Sequence, residues 1–234
     1  MSLALDNIIL SIIMVVVVYV FIYAALNKQN LPRERKKKIY TQTTIIGMIY
    51  FAYILMLSYF QILFDFGMPP RFPIFMLIPI IFMNALFGYK CGKSEIVHAL
   101  PVRWLVLIQS FRIIVELILI KMYMASIIPI EATLYGINYD MLVGISALPL
   151  AYLVWKNKVS TQALIYWNLW GVLMVVVVAL TITTSIYYPP LWGYTTAPIN
   201  TSFLEMPLML LPTFLAPLAI FTHVVTLIRL KNEK

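Results

Sequence analysis

Charged residues are scarce in this 234-residue chain: Asp, Glu, Lys and Arg together make up 11% of it, whereas 62% of the residues are hydrophobic. A soluble domain carries about 25% charged residues, so the polar side chains here are too few to cover a water-exposed globule. The mean hydropathy of +0.92 agrees with this. The composition excludes a soluble enzyme, a disordered chain and a nucleic-acid-binding module. It predicts an all-α protein that crosses a membrane several times.

Cysteine and histidine are nearly absent. The single Cys91 excludes an intrachain disulfide, and His98 and His223 lie far apart in the sequence. No Cys or His spacing predicts a metal site, which excludes the zinc-dependent seven-helix hydrolases. Retinal proteins need a lysine in the last helix, and 207–228 contains none. We therefore expect no metal and no cofactor.

Apolar stretches recur along the chain at the length a membrane requires, since a helix needs about 20 apolar residues to span a core of roughly 30 Å. The first stretch, 7–26, has no Lys or Arg before it and no small-residue cleavage site after it, so we interpret it as a span and not a signal peptide. We predict one transmembrane domain, 1–234, with seven helices at approximately 7–26, 43–64, 73–89, 102–124, 139–155, 162–187 and 207–228.

Basic residues concentrate on one side of the predicted membrane. Of the 17 Lys and Arg residues, all but three lie in or beside the loops after the first, third and fifth spans and in the C-terminal tail. Cytoplasmic loops are rich in Lys and Arg, so we place the N-terminus outside and the C-terminus in the cytoplasm. The densest basic cluster, 33–38, we interpret as a topology signal that contacts anionic lipid headgroups; docking of a partner is the alternative.

The fourth predicted span carries Gln109, Arg112 and Glu116, whose spacings of three and four place them on one helix face. A charge at the bilayer centre costs about 2.5–3.5 kcal/mol on insertion scales, and Arg cannot lose its proton to avoid that cost. We expect Arg112 to pair with Glu116 one turn away and to take further acceptors from other helices.

Several polar residues of the later segments are candidates for those contacts. We predict that the fourth to seventh helices enclose a polar cavity that opens outward, with Arg112 and Glu116 at its floor. The alternative is a structural role: Asp140 stabilises a helix start, Asn168 and Gln109 bond between helices, and His223 packs. The candidate ligand-binding residues are Gln109, Arg112, Glu116, Asn138, Asp140 and His223.

Residues 98–230 resemble an uncharacterised group of bacterial multi-pass membrane proteins. The resemblance rests on FRIIVE at 111–116, on Gly136 to Asp140 followed by Gly144, on Trp167-Asn168, on Asn200-Thr201 and on LPTFLAPLAIFTH at 211–223. It implies a location in the bacterial cytoplasmic (inner) membrane and groups Arg112, Glu116, Asn138, Asp140 and His223 together. It implies no activity.

Three functions fit this pattern. In the first, the protein binds or transports a small anionic or zwitterionic ligand, which the Arg112 fork grips through two hydrogen bonds. In the second, it is an accessory membrane subunit in which Arg112 and Glu116 hold the bundle together. In the third, it is a membrane-embedded enzyme that acts on a lipid-like substrate through Glu116, Asp140 and His223 as acid and base. We favour the first, with the lipid bilayer as surroundings and no nucleic acid as partner. The oligomeric state does not follow from the sequence.

Overall fold

The computed structural model describes residues 2–29 and 31–232, and within them the chain is helical without any strand. The α-helices are α1 (Leu3–Lys28), α2 (Arg33–Tyr59), α3 (Ile78–Gly92), α4 (Glu95–His98), α5 (Val102–Leu107), α6 (Phe111–Met124), α7 (Asp140–Trp155), α8 (Thr161–Tyr187) and α9 (Ala216–Asn232). The π-helical turns Pro73–Leu77 and Leu211–Leu215 lead directly into α3 and α9, and the 3₁₀ turn Ile108–Ser110 joins α5 to α6. The predicted all-α class is confirmed.

Five helical segments of the described chain are long and apolar enough to cross a membrane: α1, α2, Pro73–Gly92, α8 and Leu211–Asn232. The other two predicted spans, 102–124 and 139–155, are also helical. The first is interrupted by the 3₁₀ turn, however, and the second corresponds to α7, which has 16 residues. Helix length and composition therefore support five crossings instead of the seven predicted, and they carry no information on orientation.

The second helix begins earlier than the predicted span 43–64 and includes the basic cluster 33–38, which the sequence placed in a loop. Arg, Lys and Glu are good helix formers, and Pro32 directly precedes the first helical residue. Glu34 lies in the first turn, where the helix dipole favours an acid. Within α2, Ile54 and Leu57 are the buried residues, so this helix lies at the periphery of the bundle.

The last helix, α9, lies at the centre of the fold, where it packs against α3, α5 and α8. Two glycines bring α3 close to it. A Cβ added at Gly92 would lie 2.7 Å from Ile228 Cβ, and one at Gly88 would lie 3.1 Å from Val224 Cβ. The four-residue spacing of Gly88 and Gly92 puts both on one face, the arrangement that allows helix backbones to approach closely.

A third glycine brings α7 onto α6. A Cβ at Gly144 would lie 2.9 Å from the Ile113 backbone nitrogen and 3.3 Å from Arg112 Cβ. Because the two backbones are this close, Asp140, one turn before Gly144, lies beside the Arg112 side chain. This contact positions the candidate site.

Candidate functional site

The bundle contains a buried ion pair between Arg112 and Asp140. Arg112 is 1% exposed and projects from the first turn of α6, whereas Asp140 is the first residue of α7. Arg112 Nε donates to Asp140 Oδ2 over 2.8 Å, and Nη2 donates to Oδ1. The contact is therefore bidentate, the geometry that makes Arg–carboxylate pairs strong. Each charge lowers the cost of burying the other.

The predicted partner of Arg112, Glu116, is engaged by the loop that precedes α7. Glu116 Oε1 accepts from the Leu134 backbone N–H over 2.6 Å, and Oε2 accepts from Asn138 Nδ2 over 2.8 Å. Among the described residues the ion pair of Arg112 is with Asp140. The predicted Arg112–Glu116 pair is therefore wrong. Asp140 meets two nitrogens of the guanidinium fork at once, while the loop occupies both oxygens of Glu116.

Asn138 links the two carboxylates. Besides donating to Glu116, its Nδ2 donates to the Ala132 carbonyl over 3.0 Å, and its Oδ1 accepts from the Asp140 backbone N–H over 2.9 Å. Gly136 keeps the loop tight, since a Cβ there would lie 2.7 Å from the Ile130 carbonyl oxygen. One side chain thus fixes both the Glu116 contact and the start of α7.

His223 of α9 completes the contacts of Arg112 from the opposite side. Arg112 Nη1 and His223 Nε2 are 2.9 Å apart, and because a guanidinium only donates, Nε2 must accept. Nδ1 then carries the hydrogen and donates to Asn168 Oδ1 over 2.8 Å. The Asn168 amide is oriented by its own Nδ2, which donates to the Leu164 carbonyl over 2.8 Å. The hydrogen bonds therefore hold His223 neutral, with its hydrogen on Nδ1.

Two further residues of α8 shape this cluster. The Gly171 carbonyl accepts from Arg112 Nη2 over 3.1 Å, and a Cβ at Gly171 would overlap the His223 ring. The Trp167 ring meets the His223 ring edge-on at 5.5 Å between centroids, and its Nε1 donates to Ser146 over 2.9 Å. Sequence reasoning did not include Gly171 or Trp167 among the candidate site residues. The signal was their four-residue spacing, which places both on one face of α8.

Gln109 lies apart from this cluster. Its Nε2 donates to Thr222 Oγ1 over 2.8 Å and to the Ala219 carbonyl over 3.2 Å, which ties the 3₁₀ turn to α9. Its Oε1 has no hydrogen-bond partner within the described part of the chain. These contacts match the structural alternative of an interhelical hydrogen bond.

A cavity of about 60 Å³ adjoins the ion pair. Arg112, Asn138 and Asp140 form its polar end, and apolar side chains of α6, α8, α9 and the two π-helical turns form nearly all of its remaining wall. Representative wall residues are Phe72, Phe111, Val115, Val175, Ala179 and Ile220. The space suits about four to six water-sized groups. The sequence predicted a polar cavity with Glu116 at its floor; the wall is instead largely apolar, and Glu116 does not line it.

The structure thus joins the candidate residues in two neighbouring groups. Arg112, Asp140 and His223 form one, and Glu116 and Asn138 form the other. His223 and Asp140 contact the same guanidinium, while the loop before α7 binds both oxygens of Glu116. Within the described ranges no three His, Cys, Asp or Glu side chains are grouped so as to hold a metal ion.

A family model matches residues 69–231, and its description is a domain of unknown function, DUF8737. The chain belongs to this family. No curated protein and no solved structure matches it. The DUF8737 region contains the whole cluster around Arg112. It begins before residue 98, where the resemblance seen in the sequence started, and so includes α3. An uncharacterised family agrees with that resemblance.

Proposed function

We propose that this DUF8737 protein is a seven-span integral protein of a bacterial cytoplasmic membrane, with its N-terminus outside and its C-terminus in the cytoplasm. Five long apolar helices support the membrane location, and the one-sided distribution of Lys and Arg supports the orientation. The stretch 102–124 is about 34 Å long at 1.5 Å per residue, enough to cross the core. The shorter α7 begins within the bundle, because the loop before it is folded inward with Ala132 and Asn138 buried.

Within this bundle, the protein binds or transports a small amphipathic molecule. The observation that carries this proposal is the cavity itself: its wall is apolar, and its one polar end is the buried Arg112–Asp140 pair. Small-molecule sites are typically apolar pockets with a few placed polar groups that fix the orientation of the ligand. The apolar wall accommodates a hydrocarbon body, and the ion pair orients a polar head.

The contacts of Arg112 indicate the chemistry of that head. A guanidinium has five N–H donors, and Asp140, His223 and Gly171 occupy four of them within the described chain. One Nη1 hydrogen remains for a ligand acceptor. Because Asp140 already neutralises Arg112, the site favours a neutral hydroxyl or carbonyl group over the anionic or zwitterionic ligand expected from the sequence.

The experiment is saturation-transfer NMR on detergent-solubilised protein with 1-butanol and butyrate as probes. We expect transfer to 1-butanol that exceeds transfer to butyrate. Ala179→Phe, which fills the cavity, should abolish it. The matched control is Ala163→Phe, the same change at an exposed position of the same helix, which should leave it unchanged. Equal transfer from wild type and Ala179→Phe would overturn the proposal.

The second candidate is a structural or accessory subunit, favoured by the fact that four donors of Arg112 already have partners within the chain. In that case the ion pair only holds the bundle together. Replacing both charges by apolar residues should then preserve the fold and most of its stability, and no bound ligand should be lost. If the ligand proposal holds, the same replacement should preserve the fold and abolish binding of 1-butanol.

A further inference from the structure

A second, open space lies between the first two helices. This groove of about 400 Å³ is lined by Val15, Val16, Tyr19, Val20 and Tyr23 of α1 and by Tyr40 of α2. The hydroxyl oxygens of Tyr19 and Thr44 lie 2.8 Å apart and bridge the two helices. Further along α2, a Cβ at Gly47 would meet nothing within 4 Å. The helices therefore touch at a polar contact and leave an apolar groove open beside it.

The polarity of the groove changes along its length. On α1 the valines form one end, Tyr23 lies nearer the other end, and Asn27 follows one turn later on the same face. α2 runs back along α1, so its basic first turns lie beside the end of α1. Lys36 Nζ donates to Asn27 Oδ1 over 3.4 Å, which places this lysine at the polar end of the groove.

The basic cluster 33–38 has a groove-facing side and an outer side. Spacings of three and four place Arg33, Lys36 and Lys37 on the same helix face as Tyr40 and Thr44. Among them, Tyr40 lines the groove, and Lys36 and Thr44 contact α1.

Arg35 and Lys38 belong to the same cluster but lie about 140° and 160° around the helix from Tyr40, at 100° per residue. The cluster therefore contains two pairs of cations of equal charge, Lys36 with Lys37 on the groove side of α2 and Arg35 with Lys38 on its outer side.

We propose that this groove binds one anionic phospholipid of the surrounding bilayer, with an acyl chain along the valines of α1 and the phosphate between Lys36, Lys37 and Tyr40. The proposal rests on the membrane location proposed above, but not on the ligand of the inner cavity. General attraction of the 33–38 cluster to an anionic surface is expected of any basic segment. A bound lipid requires more, namely cations on the groove face and an apolar channel that continues from them.

The charge and shape of the groove both favour this occupant. Lysine ammonium groups bind phosphate oxygens through charge-assisted hydrogen bonds. Tyrosine rings are common at the level of the lipid headgroups, because they are apolar with one polar end. Val16 and Val20 are 55% and 50% exposed, so their side chains are available to an acyl chain. In the proposed orientation the basic end faces the cytoplasmic leaflet, which carries anionic lipid.

The test is native mass spectrometry of the full chain after reconstitution in equal amounts of phosphatidylglycerol and phosphatidylcholine. We expect one retained phosphatidylglycerol on the wild type, with a clear preference over phosphatidylcholine. Lys36→Gln with Lys37→Gln should lower the retained ratio by about tenfold or more, since each cation near a membrane surface contributes substantially to anionic-lipid binding. Arg35→Gln with Lys38→Gln removes the same charge from the outer side and should leave the ratio unchanged.

The apolar end has its own pair of variants. Val16→Phe narrows the groove without a change in charge and should reduce the retained lipid, whereas Ile9→Phe on the same exposed face, outside the groove, should not. These positions are exposed, so the variants keep the fold. If the two double lysine and arginine variants lost retained phosphatidylglycerol to the same extent, the proposal would be overturned in favour of general attraction to an anionic surface. Absence of retained phosphatidylglycerol on the wild type would overturn it as well, without bearing on the cavity ligand.

Discussion

Arg112 Nε donates to Asp140 Oδ2 over 2.8 Å inside the bundle, although 28 residues separate the two in the chain. The contact joins the first turn of α6 to the first residue of α7 and leaves Glu116, on the same helix as Arg112, to hold the intervening loop. Both carboxylates therefore have defined and separate partners. The stability of the helix bundle and the polarity of the cavity both depend on this division.

Removal of Arg112 alone should strongly destabilise the fold. Arg112→Ala leaves the Asp140 carboxylate buried without its cation, which typically costs about 3–5 kcal/mol. Arg112→Met with Asp140→Leu should recover most of that loss, because an apolar pair of similar volume replaces a buried ion pair at little cost. The remaining deficit comes from His223 Nε2, which loses its donor. Denaturant unfolding in detergent measures all three proteins.

The matched comparison is Arg112→Met with Glu116→Leu. This pair removes the same charges but leaves Asp140 unpaired and removes the contacts of Glu116 as well, so it should unfold at least as readily as Arg112→Ala. If Arg112→Met with Glu116→Leu were more stable than Arg112→Met with Asp140→Leu, the assignment of Asp140 as the ion-pair partner would be contradicted.

The glycine at 171 should not tolerate a methyl group. Replacing Gly by Ala within a helix normally stabilises it by about 1 kcal/mol. At Gly171 the added Cβ overlaps His223, so Gly171→Ala should instead destabilise the protein and disturb the contacts of Arg112. Gly47→Ala is the control, since nothing lies within 4 Å of its Cβ position, and it should be neutral or stabilising. Thermal unfolding of both variants shows whether each one lowers or raises the stability of the protein. A stabilising Gly171→Ala would contradict the close packing of Gly171 on His223.

Much of the fold could be predicted from the sequence because apolar runs of the required length have few alternatives to helix. All seven predicted segments are helical over most of their length, and the start of the fourth, at residue 102, agrees with α5. The second ends at Tyr59 and not at 64, and the last begins at about Leu211 and not at 207. The α2 boundary differs because a charged segment of Arg, Lys and Glu forms helix as readily as loop, and hydropathy does not distinguish the two. The Gly88–Gly92 spacing is typical of a helix face that packs closely on another helix, but it does not identify α9 as that helix.

The site was predicted only in part. Spacing along one helix placed Arg112 and Glu116 on one face, and that correct inference suggested the wrong partner. The true partner depends on how closely α7 approaches α6, which Gly144 decides through a backbone contact that no pattern within one helix displays. The roles of Asn168 and Gly171 likewise depend on packing between helices, because they follow from where α9 places His223.

Glu116 should be needed as a carboxylate. Both of its oxygens accept hydrogen bonds, from Leu134 and from Asn138, whereas a Gln amide offers one acceptor and places a donor against the other N–H. Glu116→Gln should therefore cost about 1–3 kcal/mol, the usual penalty for an unsatisfied buried group. Hydrogen exchange should rise at the backbone amides of 131–138. Glu205→Gln, at an exposed loop position, should change neither the stability nor the hydrogen exchange of 131–138. If hydrogen exchange at 131–138 were the same in Glu116→Gln as in the wild type, the contact of Glu116 with this loop would be contradicted.

The contact between Tyr194 and Glu131 should give one connecting loop a pH dependence. Tyr194 donates to Glu131 Oε2 over 3.0 Å. Partial burial, and then the hydrogen bond and charge of Glu131, raise the pKa of the Tyr194 phenol above its usual 10.0. Because the folded-state pKa is the higher one, the contact keeps its full stability below about pH 10 and loses it as the pH rises through the raised pKa.

Glu131→Gln should lower the pKa of Tyr194 towards the usual value, since it removes the negative charge. The absorbance titration of phenolate, with the titration of Tyr194→Phe subtracted, measures this group alone among the 15 tyrosines. An unchanged titration of Tyr194 in Glu131→Gln would show that the carboxylate has no influence on it.

The cavity ligand is tested most directly by native mass spectrometry of gently solubilised wild type, Ala179→Phe and Ala163→Phe. We predict that the wild type and Ala163→Phe carry a bound mass smaller than a phospholipid, and that Ala179→Phe, with its cavity filled, has lost it. The fragmentation pattern of that mass should identify a hydrocarbon body with a neutral polar head. A bound mass retained equally by all three proteins, or no bound mass on folded wild type, would contradict a ligand site beside Arg112 and Asp140.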